Sequence, residues 1–362
     1  MTVRVAAVQA EPVWLDAEAT VRKTVDLIAE AADNGAELVA FPETWIPGYP
    51  VFLWSYPVYL QQEFVARYYA NSISVNSEQL DRIRAAAREN AITVVVGYSE
   101  KSAGSLYMAQ SIIGPDGRIL LHRRKLKPTH VERTLFGESD GSGIKVIDTP
   151  LGRLGALNCA EHLQPLTKYA MYSQSEQIHV AAWPCLGILA NEPALSPESI
   201  MAACQTYALE GGTFVITTSQ IMSDEGALAF PDTHGGPTPV YTGGGGFARV
   251  YGPNSAKMTT DLDPSQEGIV YADLDLASIV LAKNTLDPAG HYARPDVLRL
   301  VFNNKAAVPV TMLGTGQAGA EPQDPDAVGD RGEGPETAMR ESSSLGERRG
   351  TLNAPSPDSS ST

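Results

Sequence analysis

The chain has 362 residues, a hydrophobic fraction of 43% and a formal net charge of −15. This length allows one large domain or two smaller ones, with enough residues to bury a substantial core. The acidic balance argues against a nucleic acid or an anionic membrane as a partner, because phosphate binding requires clustered Lys and Arg.

Strand-like and helix-like segments alternate from residue 1 to about residue 300. Val3–Val8 predicts a strand, and Ala17–Asn34 has apolar residues at helical spacing with Gly35 at the expected stop. The continuous apolar run Ala36–Phe41 predicts a strand that is covered on both faces. The next predicted elements are a helix over Ser77–Asn90 and a strand over Ile92–Tyr98.

Three tetrapeptides that each contain Gly and Pro predict the turns of β-hairpins. These turns are Gly114–Gly117, Thr149–Gly152 and Gly252–Ser255. Further predicted elements are helices over Leu163–Gln174 and Pro197–Glu210, and strands over Gln177–Trp183 and Thr213–Ser219. The combination of βα crossovers with hairpins indicates an α/β fold with mixed sheets and helices on their outer faces.

The C-terminal segment differs in composition from the rest of the chain. After Phe302 there is no aromatic residue, and from Gly314 the sequence is mainly Gly, Pro, Ser, Glu and Asp. Such a segment cannot bury enough apolar surface to offset the entropy of ordering it. We therefore predict a folded domain at residues 1–313 and a disordered tail at residues 314–362.

Cysteine content and hydropathy bear on the compartment. The three cysteines, at positions 159, 185 and 204, are too few for a disulfide framework in so long a chain. The apolar N-terminal stretch is too short for a secretory signal, and nothing approaches the roughly 20 apolar residues of a membrane helix. We therefore expect a cytoplasmic protein with no membrane partner.

Cys159 is the first candidate for chemistry, because it lies where the predicted strand Leu154–Asn158 gives way to a helix. A thiol at such a strand end faces the crevice in which open α/β sheets bind ligands. The free N–H groups and the dipole of the helix are expected to lower its pKa. Its polar neighbours Asn158, Glu161 and His162 argue against a purely structural cysteine, since burying polar groups is costly.

Three charged residues upstream are candidates of lower specificity. Glu43 ends a predicted buried strand, and as a general base it would need burial to raise its pKa towards neutrality. Lys125 lies in a basic segment in which spacing alone does not choose between Lys125 and Lys127. Glu132 follows a few residues later. Each alone could be an ordinary solvated side chain, but together with the thiol they indicate covalent catalysis.

The common metal and nucleotide motifs are missing from the sequence. The six histidines form no His-Glu-x-x-His motif and no His/Cys pair at ligand spacing. The glycine run Gly243–Gly246 lacks the strand–helix context and the lysine of a phosphate-binding loop, and there is no Gly-x-Ser-x-Gly elbow. We therefore expect an enzyme that uses neither a metal nor a cofactor.

Five short segments occur in a characteristic order. They are Phe41-Pro42-Glu43, Arg124–Arg133, Phe136–Gly141, Asn158–His162 and Gly290–Asp296. Each is weakly specific alone, but the five in this order are highly specific. Together they resemble the nitrilase superfamily of carbon–nitrogen hydrolases, and within it the true nitrilase branch.

The resemblance implies a four-layer α-β-β-α sandwich that forms homodimers and extends to spiral homo-oligomers. It also implies catalytic roles for Glu43 as base, Lys125 as the charged amine, Cys159 as nucleophile and Glu132 as a second active-site glutamate. The implied reaction is hydrolysis of a small-molecule nitrile to a carboxylic acid and ammonia through a thioimidate and an acyl-enzyme. An amide is the implied by-product.

One residue departs from the family pattern. Nitrilases commonly have Trp directly after the nucleophile, whereas this chain has Ala160. The smaller side chain predicts more space beside the thiol, and therefore tolerance of arylaceto- or other bulky nitriles. With Ala160, the residues His162 and Trp183 are expected to line the substrate pocket.

Two alternatives remain open from the sequence. The same site could serve an amide-forming cyanide or nitrile hydratase, or an amidase or carbamoylase of the same superfamily. A non-catalytic, filament-forming protein is an alternative of another class. The presence of Glu43, Lys125 and Cys159 together favours an enzyme over the last of these.

Overall fold

The computed structural model describes residues 1–185, 193–230, 243–308 and 310–311 of the chain. Its strands are β1 (Thr2–Ala10), β2 (Leu38–Ala40), β3 (Thr93–Ser102), β4 (Ser105–Ile113), β5 (Ile119–Arg124), β6 (Ile147–Thr149), β7 (Gly152–Asn158), β8 (Ile178–Trp183), β9 (Phe214–Gln220), β10 (Arg249–Tyr251) and β11 (Gly268–Asp275). Every predicted strand is present, whereas β11 was not predicted. The predicted tail at 314–362 lies outside the described residues.

The helices of the described residues are α1 (Ala17–Asp33), α2 (Phe52–Ser55), α3 (Gln62–Ala70), α4 (Glu78–Glu89), α5 (Pro165–Tyr172), α6 (Pro197–Gly211), α7 (Asp224–Ala227) and α8 (Ser278–Thr285). The four predicted helices are confirmed as α1, α4, α5 and α6. Helix α1 begins because Asp16 accepts a hydrogen bond from the Ala19 N–H, and it ends before Gly35, whose φ is 78°. None of these helices is both long and apolar enough to cross a membrane.

The strands are hydrogen-bonded in the order β5-β4-β3-β2-β1-β9-β8-β7-β6, with β11 added to β1 and β10 added to β9. Parallel pairs run from β1 to β3 and from β7 to β9, and the predicted hairpins β4–β5 and β6–β7 are antiparallel. The third predicted turn, Gly252–Ser255, is closed by a 2.8 Å hydrogen bond from the Gly252 N–H to the Ala256 carbonyl. Beyond this turn the pairing is a single bridge between Tyr251 and Lys257.

Among the described residues, the two halves of this path, β5 to β1 and β9 to β6, are joined by the pairing of β1 with β9. Strands β1 and β9 pair through Gln9–Ser219 and Ala10–Gln220, at their carboxyl ends. Away from these residues the halves separate and face each other across a core made almost wholly of strand side chains. Alternate residues of β1 illustrate the arrangement, because Val5 enters this core while Val8 packs under α1 and α4.

Another cluster of buried hydrophobic side chains lies where α5 and α6 cover β7, β8 and β9, on the side of the sheets away from α1 and α4. The order from one surface to the other is therefore helices, sheet, sheet and helices, which confirms the predicted α-β-β-α sandwich. Residues Met1–Pro309 form one compact unit by themselves. The carboxyl ends of β2 and β7, which carry the candidate base and nucleophile, point to the same edge of the path as the joint between its halves.

Candidate active site

Cys159 directly follows β7 and begins a short 3₁₀ turn, Cys159–Leu163. Its φ is 46°, in the left-handed region that costs a residue with a Cβ about 1 kcal/mol or more. The side chain is buried, with 1% of its surface exposed. A strained nucleophile of this kind persists only if its surroundings hold it in place.

Glu161 supplies part of that support by connecting the nucleophile turn to the segment after β5. Its two oxygens accept hydrogen bonds from Nη2 of Arg123 at 2.7 and 2.8 Å. They also accept from the backbone N–H groups of Leu126 and Asn158, each at 2.8 Å. Although burial raises the pKa of Glu161, the charge and hydrogen bonds of Arg123 hold it below its usual value. This carboxylate therefore ties together the two segments that carry the thiol and the amine.

Glu43 lies three residues beyond the last residue of β2 and is excluded from solvent. Its backbone carbonyl accepts a hydrogen bond from Nε2 of Gln220 at 2.7 Å. Gly97 of β3 passes so close that a Cβ there would collide with the carbonyl oxygen of Pro42. Glycine is therefore required at position 97 for the segment that carries Glu43 to pack against β3.

Lys125 lies between two carboxylates. Its Nζ is 2.9 Å from Oε1 of Glu43 and 2.8 Å from Oε2 of Glu132, and all three side chains are buried. Lys127, in contrast, is exposed and pairs with Glu138 at the surface. Burial would lower the pKa of Lys125, but the two carboxylates hold it well above its usual value. Burial raises the pKa of Glu43 to about 8, although Lys125 opposes this shift.

Glu132 is held by three donors, one of them an aromatic residue that the sequence did not reveal, and a second such aromatic residue supports that donor. Its Oε2 accepts from the Thr129 N–H at 2.6 Å as well as from Lys125, and its Oε1 accepts from the hydroxyl of Tyr49 at 3.0 Å. The indole N–H of Trp54 donates in turn to the Tyr49 oxygen at 3.1 Å. Three donors converging on one side chain suit a carboxylate that accepts hydrogen bonds and orients the amine.

The thiol lies beside this charged group. One oxygen of Glu43, one oxygen of Glu132 and Sγ of Cys159 all lie within 4.8 Å of one another. Such donors could hold a metal ion, but here Lys125 supplies the positive charge between the carboxylates. Burial raises the pKa of Cys159 well above its usual value, and this outweighs the opposing effects of Lys125 and the Ala160 N–H. The expectation of a lowered thiol pKa is therefore wrong, because burial dominates the helix-end effect.

The residues predicted to line the pocket differ in their burial and in their contacts. Ala160 is half-buried and packs against the cluster that contains Cys159. His162 is buried, with Nδ1 2.7 Å from the carbonyl oxygen of Cys159. Trp183 is buried as well, and its ring stacks on His162 at 5.2 Å while its N–H points to Sγ of Cys204 at 3.2 Å. All three cysteines of the chain are free.

Comparison with known proteins supplies independent observations. The sequence profile of the carbon–nitrogen hydrolase family matches residues 4–284. An aliphatic nitrilase from Rhodococcus rhodochrous is 52% identical over 311 residues, which is 85% of each chain. An arylacetonitrilase from Aspergillus kawachii is 50% identical over 303 residues, covering 82% of this chain and 91% of the other.

Among solved structures, a carbon–nitrogen hydrolase from Helicobacter pylori G27 superposes with a TM-score of 0.66. It is 18% identical and covers 82% of this chain and 97% of its own. At this identity the likeness concerns the fold alone, and it agrees with the layered architecture described above.

Proposed function

The chain belongs to the carbon–nitrogen hydrolase family, and we propose that it is a nitrilase, which hydrolyses organic nitriles to carboxylic acids and ammonia. One observation carries the proposal: the ammonium group of Lys125 is buried between Glu43 and Glu132, beside the thiol of Cys159. The names of the two nitrilase relatives, each about half identical to this chain, support the same activity.

The first step is attack by the thiol on the nitrile carbon. Oε1 of Glu43 lies 2.9 Å from Nζ of Lys125, whereas Oε2 has no hydrogen-bond partner among the described residues and can accept a proton. Glu43 takes the proton of Cys159 as the carbon–sulfur bond forms, and one π bond of the nitrile gives its electrons to nitrogen. The proton then passes to that nitrogen, and the product is a thioimidate.

Lys125 stabilises the negative charge that develops on the nitrogen in this step. Its pKa is held well above the usual value, so it remains an ammonium throughout and acts by its charge. Glu43, with a pKa of about 8, changes its protonation state far more readily at neutral pH. The geometry thus assigns proton transfer to Glu43 and charge stabilisation to Lys125.

The remaining steps consume two water molecules. Glu43 activates the first water, which adds to the thioimidate carbon, and loss of ammonia from the tetrahedral intermediate leaves a thioester. The second water attacks the thioester, releases the carboxylic acid and restores the thiol of Cys159. If the first tetrahedral intermediate expels the thiol instead of ammonia, the product is an amide.

The test of this proposal is product analysis on one aliphatic nitrile and one arylacetonitrile. We expect carboxylic acid and ammonia in equal amounts, with the amide as a minor product. Amide as the main product would indicate a hydratase-type enzyme, and turnover of amides but not of nitriles would indicate an amidase. Cys159→Ala is expected to abolish turnover, whereas Cys185→Ala, at another buried cysteine, should retain it. Absence of any turnover by the wild-type protein would favour the non-catalytic alternative.

Ala160 bears on the substrate class. It occupies the position after the nucleophile, where we expect the smaller side chain to leave space for arylaceto- and other bulky nitriles. The identities to an aliphatic nitrilase and to an arylacetonitrilase are nearly equal, so overall similarity does not favour one substrate class over the other.

Assembly and compartment form a further part of the proposal. We expect homodimers that extend to larger homo-oligomers, since α5 and α6 expose leucines 166 and 209, with Leu163 close by. Light scattering of the wild type and of Leu166→Glu should show a smaller assembly for the variant. Leu228→Glu, at an exposed leucine near α7, is the matched control and should not change the mass. The free cysteines are consistent with a cytoplasmic location.

A further inference from the structure

A buried network of hydrogen-bonded side chains begins at the backbone carbonyl of Cys159, and the mechanism above does not use it. His162 Nδ1 is 2.7 Å from the carbonyl oxygen of Cys159, and His162 Nε2 is 2.9 Å from Nε2 of His179. His179 Nδ1 is 2.7 Å from Oε1 of Glu176, whose Oε2 accepts from the hydroxyl of Tyr207 at 2.6 Å. Each of these five residues is at most 2% exposed.

The carbonyl oxygen of Cys159 fixes which atom donates in each hydrogen bond of this network. A carbonyl oxygen can only accept, so Nδ1 of His162 carries a hydrogen. In a neutral ring Nε2 of His162 is then the acceptor, and His179 must donate from its own Nε2. Nδ1 of His179 is therefore an acceptor as well, and among the described residues its partner is Glu176, which can donate only if it is protonated.

The alternative proton arrangements separate charge inside the protein. An imidazolium paired with an ionised Glu176 would place two charges in a region shielded from water, which is costly. The packing supports the neutral arrangement, since Glu176 lies so close to β7 that a Cβ on Gly155 would collide with its Oε1. Burial also raises the pKa of Glu176 to about 8 and lowers the pKa of His162 to about 3.

We propose that Glu176 is a positioning residue that acts in its protonated form, by donating a hydrogen bond to His179 and so fixing the tautomers that hold the backbone of Cys159. This role rests on the proposed function only in that Cys159 is the nucleophile. The donor on His162 restrains the carbonyl of a residue whose φ is 46°. That restraint keeps Sγ of Cys159 aimed beside Glu43 and Lys125.

Two buried glutamates near the nucleophile allow a matched experiment, because they have opposite hydrogen-bonding requirements. Glu161 accepts from Arg123 and from two backbone N–H groups, so both of its oxygens must be acceptors. Glu176 must donate through one oxygen and accept through the other. The amide of Gln reproduces the second pattern and not the first.

We therefore expect Glu176→Gln to retain most of the wild-type kcat, with its NH₂ group donating to His179 and its oxygen accepting from Tyr207. Glu161→Gln should lose activity, since its NH₂ group would face donors. Glu176→Leu keeps a similar volume but offers no donor, and its kcat should fall by an amount on the order of 100-fold, because small displacements of reacting groups are costly. KM should change little in Glu176→Leu.

Two readouts separate positioning from a structural role: kcat and KM with a nitrile, and the rate at which iodoacetamide alkylates Cys159. Both are measured on variants whose circular dichroism and melting temperature show a folded protein. The proposal is overturned if folded Glu176→Gln loses as much kcat and as much of the alkylation rate as Glu176→Leu. Such a result would mean that position 176 needs a negative charge rather than a hydrogen-bond donor. Wild-type rates in folded Glu176→Leu would also overturn it.

If Glu176→Leu fails to fold, His162 provides the second comparison. His162→Asn retains a donor near the position of Nδ1 but loses contact with His179, whereas His162→Leu loses both. The proposal is supported if kcat and the alkylation rate are both higher in His162→Asn than in His162→Leu. Equal values of both quantities in the two variants would overturn it. If the wild-type protein turns over no nitrile, the proposed function fails, but the alkylation rates still decide whether Glu176 positions Cys159.

Discussion

Glu43 and Lys125 form an ion pair, with Oε1 and Nζ 2.9 Å apart, although neither side chain is exposed to solvent. Removing two charges from water is costly unless the remaining donors and acceptors are satisfied. The ammonium group of Lys125 also donates to Oε2 of Glu132 at 2.8 Å, whereas Glu43 keeps oxygen lone pairs that accept no hydrogen bond from the described residues. The pair therefore consists of a cation that stays charged and a carboxylate with raised proton affinity.

Lys125→Met removes the only cation between Glu43 and Glu132 in the part of the chain described. We expect loss of ammonia release and a decrease of about 3–5 kcal/mol in the free energy of unfolding, because two buried carboxylates lose their partner. Urea denaturation measures the second effect. Lys127→Met is the matched control, and since its pair with Glu138 is exposed, it should change stability by less than about 1 kcal/mol. Equal effects of the two substitutions would contradict this assignment.

The pKa of Glu43, raised to about 8 by burial, predicts the pH dependence of activity. A base works only when ionised, so kcat/KM should rise with pH up to about 8, by about tenfold per pH unit below that value. The observed pKa will belong to Glu43 and its coupled neighbours together. Initial rates of ammonia release over this range test the prediction. A flat profile below pH 8 would argue against Glu43 as the base, and Glu138→Gln, at the surface, should leave the profile unchanged.

Gly97→Ala should impair catalysis from a position outside the site. The added methyl group would collide with the carbonyl of Pro42 and lie 3.1 Å from Cα of Glu43, so the segment carrying the base must move. We expect a loss of about 1–3 kcal/mol in the free energy of unfolding, as for other overpacked positions. In the protein that remains folded, kcat should also fall. Gly104→Ala is the control. Its φ of 86° means that the substitution also costs stability, but the added Cβ meets no atom within 4 Å, so kcat per folded molecule should be unchanged.

Ala160→Trp should narrow the substrate range. An indole beside Cys159 fills the space that we expect bulky nitriles to use, so kcat/KM should fall more for an α-substituted arylacetonitrile than for a small aliphatic nitrile. The ratio of kcat/KM for the aliphatic nitrile to kcat/KM for the arylacetonitrile is expected to rise by about tenfold or more, because the substitution adds several carbon atoms to the pocket wall. Parallel rates of acid and amide formation for both substrates provide the measurement. An unchanged ratio would show that residue 160 does not contact the substrate.

Local patterns in the sequence determined most of the secondary structure. The apolar period and the stop at Gly35 place α1 to within a residue, and the tetrapeptide Gly114–Gly117 places the turn between β4 and β5. Strand β11 was not predicted, although it pairs with β1 along eight residues. Its partner lies more than 250 residues away in the chain, and no local signal specifies such a pairing.

Some features of the candidate site could likewise be predicted from the sequence, and others could not. The local sequence pointed to Cys159, whereas Glu43, Lys125 and Glu132 were weak candidates until the resemblance to a known family gave them roles. Spacing alone did not choose between Lys125 and Lys127, and the family resemblance pointed to Lys125. The tertiary structure supplies the physical reason, because Lys125 is buried between two carboxylates whereas Lys127 is exposed.

The tertiary structure also decided the direction of the pKa shift at Cys159 and brought Glu176 and His179 behind the nucleophile. Helix-end effects can be inferred from neighbouring residues, but the free-energy cost of burying a charge depends on every group that surrounds it. In this protein those groups come from β2, β5, β7 and β8 and from the loops that follow or precede them, and only folding brings them together.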